Sequence, residues 1–207
     1  MITLALAGVT LVISVVPAAL VAVGREFGPP MLAWALGASV TVVRGIPAMV
    51  GLVFVFFALP FLGITLAPFP AMAGTLIVVQ VAYLSEVVRG AFQAVGRGQF
   101  EAARALGLGF WATLVHVVGP QTLRVALPTF ASSTIQLFHN TTIASLVTLP
   151  DLLGQALDVQ SISGNPSPLV AVVPVYWLLL LPLTWIGRRV ERRLATTDSW
   201  IGSRTSS

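Results

Sequence analysis

A chain of 207 residues that is 57% hydrophobic and 9% charged, with a mean hydropathy of +0.95, cannot cover a water-facing surface; soluble domains carry about a quarter of their residues as charges. The net charge of +4 comes from 11 arginines and no lysine, spaced as punctuation between apolar runs, and that pattern excludes a basic nucleic-acid surface. With no cysteine there is no disulfide framework, thiolate metal site or cysteine nucleophile.

The composition implies an integral membrane protein, and roughly 20 apolar residues in a helix span the hydrocarbon. The run 2–23 lacks a positive leader segment and exceeds the roughly 7–15-residue core of a signal peptide, so it reads as a retained first span with Pro17 as a kink. Arg25 and Glu26 mark an interface. Residues 27–47 lie between the helix-breaking groups Gly28-Pro29-Pro30 and Gly45-Ile46-Pro47. They read as an interfacial helix leading into a second span over 48–63. Pro68 and Pro70 close a short outer loop, and a third span covers 71–88. A hydrophilic insert, about 89–120, comes next. A fourth span over 123–149 and a fifth over 169–186 complete a membrane domain of residues 1–195, and the Ser/Thr-rich tail 196–207 is expected to be disordered.

The arginines orient these spans. Arg25 and Arg44 fall in one loop, Arg89, Arg97, Arg104 and Arg124 in and around the insert, and Arg188, Arg189, Arg192, Arg193 and Arg204 in the tail. With five spans all of them lie on one side, while the opposite loops carry only Asp151 and Asp158. Positive charge marks the cytoplasmic face, so the N-terminus is outside and the C-terminus inside. A sixth span over 27–43 would strand Arg25 on the wrong side.

Within the insert, 99–106 is rich in good helix formers, Glu101 sits in the first turn where a carboxylate suits the helix dipole, and Gly107 stands where a left-handed stop is expected. Phe100, Ala103 and Leu106–Gly107 repeat at helical spacing. Such a helix could lie in a groove on a partner or rest on the membrane surface.

Glu101-Ala102-Ala103, three residues, Gly107, nine residues and then Val117-Val118-Gly119-Pro120 resembles the EAA motif of bacterial ABC importer permeases. Flanking segments narrow the resemblance to the polar amino acid uptake subfamily of histidine/glutamine permease type. They are Ala82-Tyr83-Leu84-Ser85-Glu86-Val87-Val88-Arg89-Gly90, Arg44-Gly45-Ile46-Pro47, Pro120-Gln121 with Arg124 and Leu127-Pro128, His139-Asn140-Thr141-Thr142-Ile143-Ala144-Ser145, and Glu191-Arg192-Arg193-Leu194. The chain departs from that pattern at Ile46 (Thr), Gly119 (Leu), His139 (Lys) and Thr142 (Ser), and has little outer N-terminal tail.

The resemblance implies an all-α integral membrane protein of the type I ABC importer permease fold, in the bacterial cytoplasmic (inner) membrane. It also implies a second permease subunit, identical or related, an ABC ATPase dimer docked below, and an extracytoplasmic solute-binding protein that delivers an amino acid. No P-loop signature occurs, so ATP would be bound by the partner subunits and this chain would hold no cofactor. Glu101, Ala102, Ala103, Arg104, Gly107 and Pro120 would couple to the ATPase, with the third and fourth spans transmitting its movement.

A substrate path can be read in the fourth span. Thr129, Ser132, Ser133, Gln136, His139 and Asn140 share one helical face, with Thr141 and Thr142 following. At about 1.5 Å per residue, Gln136 and Gln80 of the third span fall near the midplane. Polar groups there face a bundle interior or an aqueous path, or bond helix to helix. His139, unlike Lys, can be neutral at working pH. Glu86 and Arg89 read as a structural pair, Asp151 as a solvated loop acid, and the tail arginines as anchors to anionic membrane lipids. Of the rival classes, a secondary transporter of small polar solutes would show paired repeats with broken helices, and a membrane enzyme would need a catalytic constellation that two histidines do not supply.

Overall fold

The computed structural model describes residues 2–147 and 149–202, excepting the side chains at 183, 186–188 and 190–202. Among the described residues all regular structure is helical. α1 (Ile2–Phe27) and α4 (Pro68–Val95) are long and apolar enough to cross a bilayer. Every third or fourth residue of α1 is buried, and most of that stripe is small: Thr3, Ala7, Thr10, Ser14, Ala18 and Ala22. Val12, Val16 and Leu20 point outward. In lipid this arrangement is favourable, because hydrocarbon solvates the large side chains and small ones let backbones approach.

α1 and α4 run parallel. Leu6 shares an apolar cluster with Met72 and Leu76 at one end, and Ala22 shares a second with Phe92 at the other. α7 (Gly119–Asn140) runs against them, since Val118, just before it, belongs to the second cluster and Leu137 to the first. Parallel first and third spans with an antiparallel fourth are what one crossing between α1 and α4, and two between α1 and α7, require.

α2 (Pro30–Gly45) buries only Val40 and exposes Met31 and Trp34. α3 (Ala48–Val53) continues through a π-turn, Phe54–Ala58, and a 3₁₀ turn, Leu59–Leu62, and the pair is bent by 95° from α2. Pro47 causes the bend: the residue before a proline is driven out of the helical region, and Ile46 is extended at φ −97°, ψ 123°. A helix broken at Pro47 and followed by a short apolar one thus matches the order of elements read from the sequence.

Three expectations are corrected. α4 continues seven residues beyond the predicted end at 88, to Val95, carrying the third span into the insert. The fourth span leaves α-helical geometry at Asn140, giving way to a 3₁₀ segment, Thr141–Val147. The loop 150–168 contains α8 (Leu152–Ser163), started by Asp151 as N-cap and stopped by Gly164 at φ +67°. α9 (Ser167–Gly202) covers the fifth span. It stays helical through 196–202, where the composition suggests disorder, and residues 203–207 lie outside the described residues.

Candidate functional site

The insert is a rigid block. α4 stops at Gly96, whose φ of +79° turns the chain, and α5 (Gly98–Ala105) begins two residues later. Its end is a Schellman cap: the Leu108 amide donates to the Ala103 carbonyl at 3.0 Å and the Gly107 amide to Arg104 at 2.9 Å, with Gly107 at φ +77°. A left-handed residue must occupy that point, and glycine does so without steric cost.

α6 (Phe110–Thr113) leads into a π-turn, Leu114–Val118, whose wide loop closes with the Gly119 amide on the Leu114 carbonyl. Pro120 makes the wide turn favourable: it lacks an N–H, and its ring would strike the carbonyl four residues back in a regular helix. The other π-turn stands in the same relation to Pro60. Gly119 also acquires a reason, because a Cβ there would lie 2.6 Å from the Leu114 oxygen. Gln121 ties the block together, donating to the Val117 carbonyl at 2.9 Å and to Gln99 Oε1 of α5 at 3.2 Å.

α5 has two faces, and one expectation about them is corrected. Ala103 is buried and Phe100 packs on the apolar cluster at this end of the bundle, so that face is already used by the chain itself. Leu106, read as part of the same stripe, is 81% exposed. The free face therefore consists of Glu101, Ala102, Arg104 and Leu106, all exposed. Neither Glu101 nor Arg104 enters an ion pair among the described residues. Pro120 is exposed at the far end of the block.

Behind the insert lies a charged clamp larger than the predicted Glu86–Arg89 pair. Arg89 meets Glu86 at 3.0 Å, Arg25 of α1 meets it at 2.7 Å, and Arg44 of α2 approaches to 3.5 Å while lying over the Tyr83 ring. One carboxylate holds three helices. The sequence carries all four residues, but 61 positions separate Arg25 from Glu86 and no local spacing links them.

The predicted substrate-path residues divide in two. Ser132, Gln136 and His139 are exposed along one stripe of α7, with Asn140 and Thr142 half-exposed beside it. Gln136 donates to Asn140 at 3.4 Å, and the Ser132 and Thr142 hydroxyls turn onto carbonyls of their own helix. Thr141 is fully buried, donating to Phe138, and Gln80 is buried with its Nε2 unpartnered. Neither of these two shares the stripe.

Asp151 is 2% exposed and is not a solvated loop acid. Its Oδ1 accepts the Gly154 amide at 2.7 Å, capping α8, while Oδ2 is buried without a partner. Burial pushes its carboxyl above the ordinary aspartate value, against the opposing amide bonds from Gly154 and Leu153. The Asp-to-Gly spacing, 151 to 164, was the available signal for this helix.

Residues 3–196 match the family described as binding-protein-dependent transport system inner membrane component. The chain is 34% identical over 169 residues to the probable glutamine ABC transporter permease protein GlnP of Bacillus subtilis (strain 168), covering 79% of this chain and 77% of that one. It is 27% identical to the L-cystine transport system permease protein TcyB of the same organism, over 93% and 83% of the two chains. A crystal structure of an amino acid ABC transporter with histidines superposes with a TM-score of 0.85 at 27% identity, over 92% of this chain and 90% of that one.

Proposed function

The chain belongs to the binding-protein-dependent transport system inner membrane components, and we propose that it works as the membrane permease of an ATP-driven amino acid importer whose ATPase is a separate pair of chains. The observation that carries this is the insert. α5 is closed at its C-terminal end by the Schellman cap, welded to the bundle through Phe100 and Ala103, and leaves Glu101 and Arg104 exposed and without an ion pair among the described residues. Such a helix can receive a push without absorbing it, because close-packed interiors are stiff. Closure of the ATPase dimer would move α5 and α6 and, through them, α4 and α7. An ion-coupled or facilitative carrier would have no use for this helix, and the family match sets that alternative aside.

The exposed stripe of α7 supports a second permease subunit, identical or related. Polar side chains at membrane depth are costly against hydrocarbon, so Ser132, Gln136 and His139 would face either that subunit or the aqueous path between the two. The relatives act on glutamine and cystine, which supports the amino acid class, and His139 and Asn140 are the proposed substrate contacts. The insert and the Arg25–Arg44–Arg89 group support a cytoplasmic position for their end of the bundle, in which case Asp151 and α8 would face the solute-binding protein. In vesicles holding the permease, its ATPase and the binding protein, Glu101→Lys should abolish ATP-driven uptake while the permease remains in the membrane. Normal uptake by that variant would overturn the coupling role.

A further inference from the structure

We infer that Phe27, the last residue of α1, is a positioning residue that passes movement of the insert into the first helix. Three phenylalanine rings surround it, one from each element that meets there. Its centroid lies 5.3 Å from Phe92 of α4, 5.4 Å from Phe100 of α5 and 5.4 Å from Phe110 of α6, at interplanar angles of 78°, 52° and 71°. Centroid separations of about 4.5–7 Å with tilted or edge-on rings are the favoured aromatic geometry.

The end of α1 is built to carry a load. Two residues before Phe27, Arg25 is ion-paired to Glu86 of α4, with Arg44 of α2 alongside. One residue after it, the Gly28 amide closes on the Gly24 carbonyl at 3.1 Å, where any Cβ would meet that oxygen at 2.2 Å. A force on Phe100 or Phe110 thus meets a ring anchored in a helix end that cannot yield locally. Beside the rings lies a cavity of about 500 Å³ that Phe27, Phe100 and Phe110 share with Glu26, Arg97 and Glu101. At its other end α1 places Leu6 in a cluster with Leu137 and Val147, so a shift delivered at Phe27 reaches the segment beside His139.

This inference rests on reading α5 as the coupling helix. The test uses the assembled transporter in lipid nanodiscs with its ATPase and binding protein, and measures three things: retained ATPase subunit, thermal unfolding midpoint, and stimulation of ATP hydrolysis by loaded binding protein. Phe27→Ala should keep the ATPase subunit and basal hydrolysis but lose stimulation by about fivefold or more, a typical allosteric coupling. Phe27→Leu, which refills most of the volume without a ring, should unfold near wild type and still be impaired in stimulation; it decides the matter if the alanine variant fails to assemble. Phe27→Ala combined with Phe100→Ala should be no worse than the more impaired single variant. Full stimulation in Phe27→Leu, or additive losses in the double variant, would overturn the joint. If Glu101→Lys also leaves stimulation intact, the coupling reading itself fails; if Glu101→Lys uncouples and the Phe27 variants do not, only this inference falls.

Discussion

The insert and the C-terminal half of α7 both place polar side chains in an apolar chain, yet they use them in opposite ways. In the insert the backbone satisfies itself through the Schellman cap and the π-turn, which leaves Glu101 and Arg104 free. Along α7 the side chains are spent on their own helix: Ser132 on Pro128, Thr142 on His139, Gln136 on Asn140. The first arrangement holds a fixed shape for a partner. The second keeps polar groups satisfied within the chain, as the proposed substrate path would need while empty.

The sharpest way to break the contrast is to remove the rigidity of the insert. Gly107→Pro forces φ to about −65° where the chain needs +77°, and should reduce ATP-coupled uptake to background with normal membrane levels. Gly107→Asn, which tolerates the left-handed region, should retain most uptake. Next comes the clamp behind the insert. Glu86→Gln leaves Arg25, Arg44 and Arg89 facing each other, and should cost about 1–3 kcal/mol of stability, between the values for exposed and buried pairs. Arg44→Gln, at the longer 3.5 Å contact with its side chain 42% exposed, should cost less than about 1 kcal/mol; an unfolding titration in detergent measures both.

Gly119→Ala tests the π-turn by its sign. Alanine gains about 1 kcal/mol in helix propensity, yet the variant should be less stable, because the new methyl meets a backbone oxygen 2.6 Å away. At the opposite end, Asp151→Ala should cost about 1 kcal/mol through loss of the α8 cap, and Asp151→Asn less. The folded state binds the Asp151 proton more tightly than the unfolded chain, so this residue's contribution weakens as pH rises from the ordinary value of 3.8 through the raised one. Asp151→Asn should remove that dependence. The smallest effects belong to the stripe. Gln136→Ala should change stability by about 0.6 kcal/mol, a typical membrane hydrogen bond, while altering uptake; His139→Lys should change which amino acid is preferred and leave the unfolding midpoint in place.

Much of this was legible without coordinates. The arginine distribution, the glycine and proline breaks at 28–30 and 45–47, and the spacing from Glu101 through Gly107 to Pro120 are local or compositional signals, and they pointed to the order of the helices, the insert and the left-handed stop. Gly119 looked anomalous, since nothing in a one-dimensional pattern shows that Leu114 and Gly119 close a π-turn. α8 went unread because its apolar pattern is short and sits in a stretch assigned to a loop, and Asp151 was taken for a solvated acid because burial is a property of the packed chain.

The sequence by itself determined a helical membrane protein with a helical insert on its arginine-rich side, because hydropathy, charge asymmetry and backbone stops act over a few residues and need no partner; that it is a permease came from the resemblance carried by Glu101 through Pro120 and the flanking segments. Only the tertiary structure decided which face of α5 is free, which arginines share Glu86, and that Phe27 meets Phe92, Phe100 and Phe110. Apart from Arg89 with Glu86, those contacts join residues 42 to 83 positions apart. They arise because small residues along α1 let it lie against α4 closely enough for the two helix ends to meet the insert.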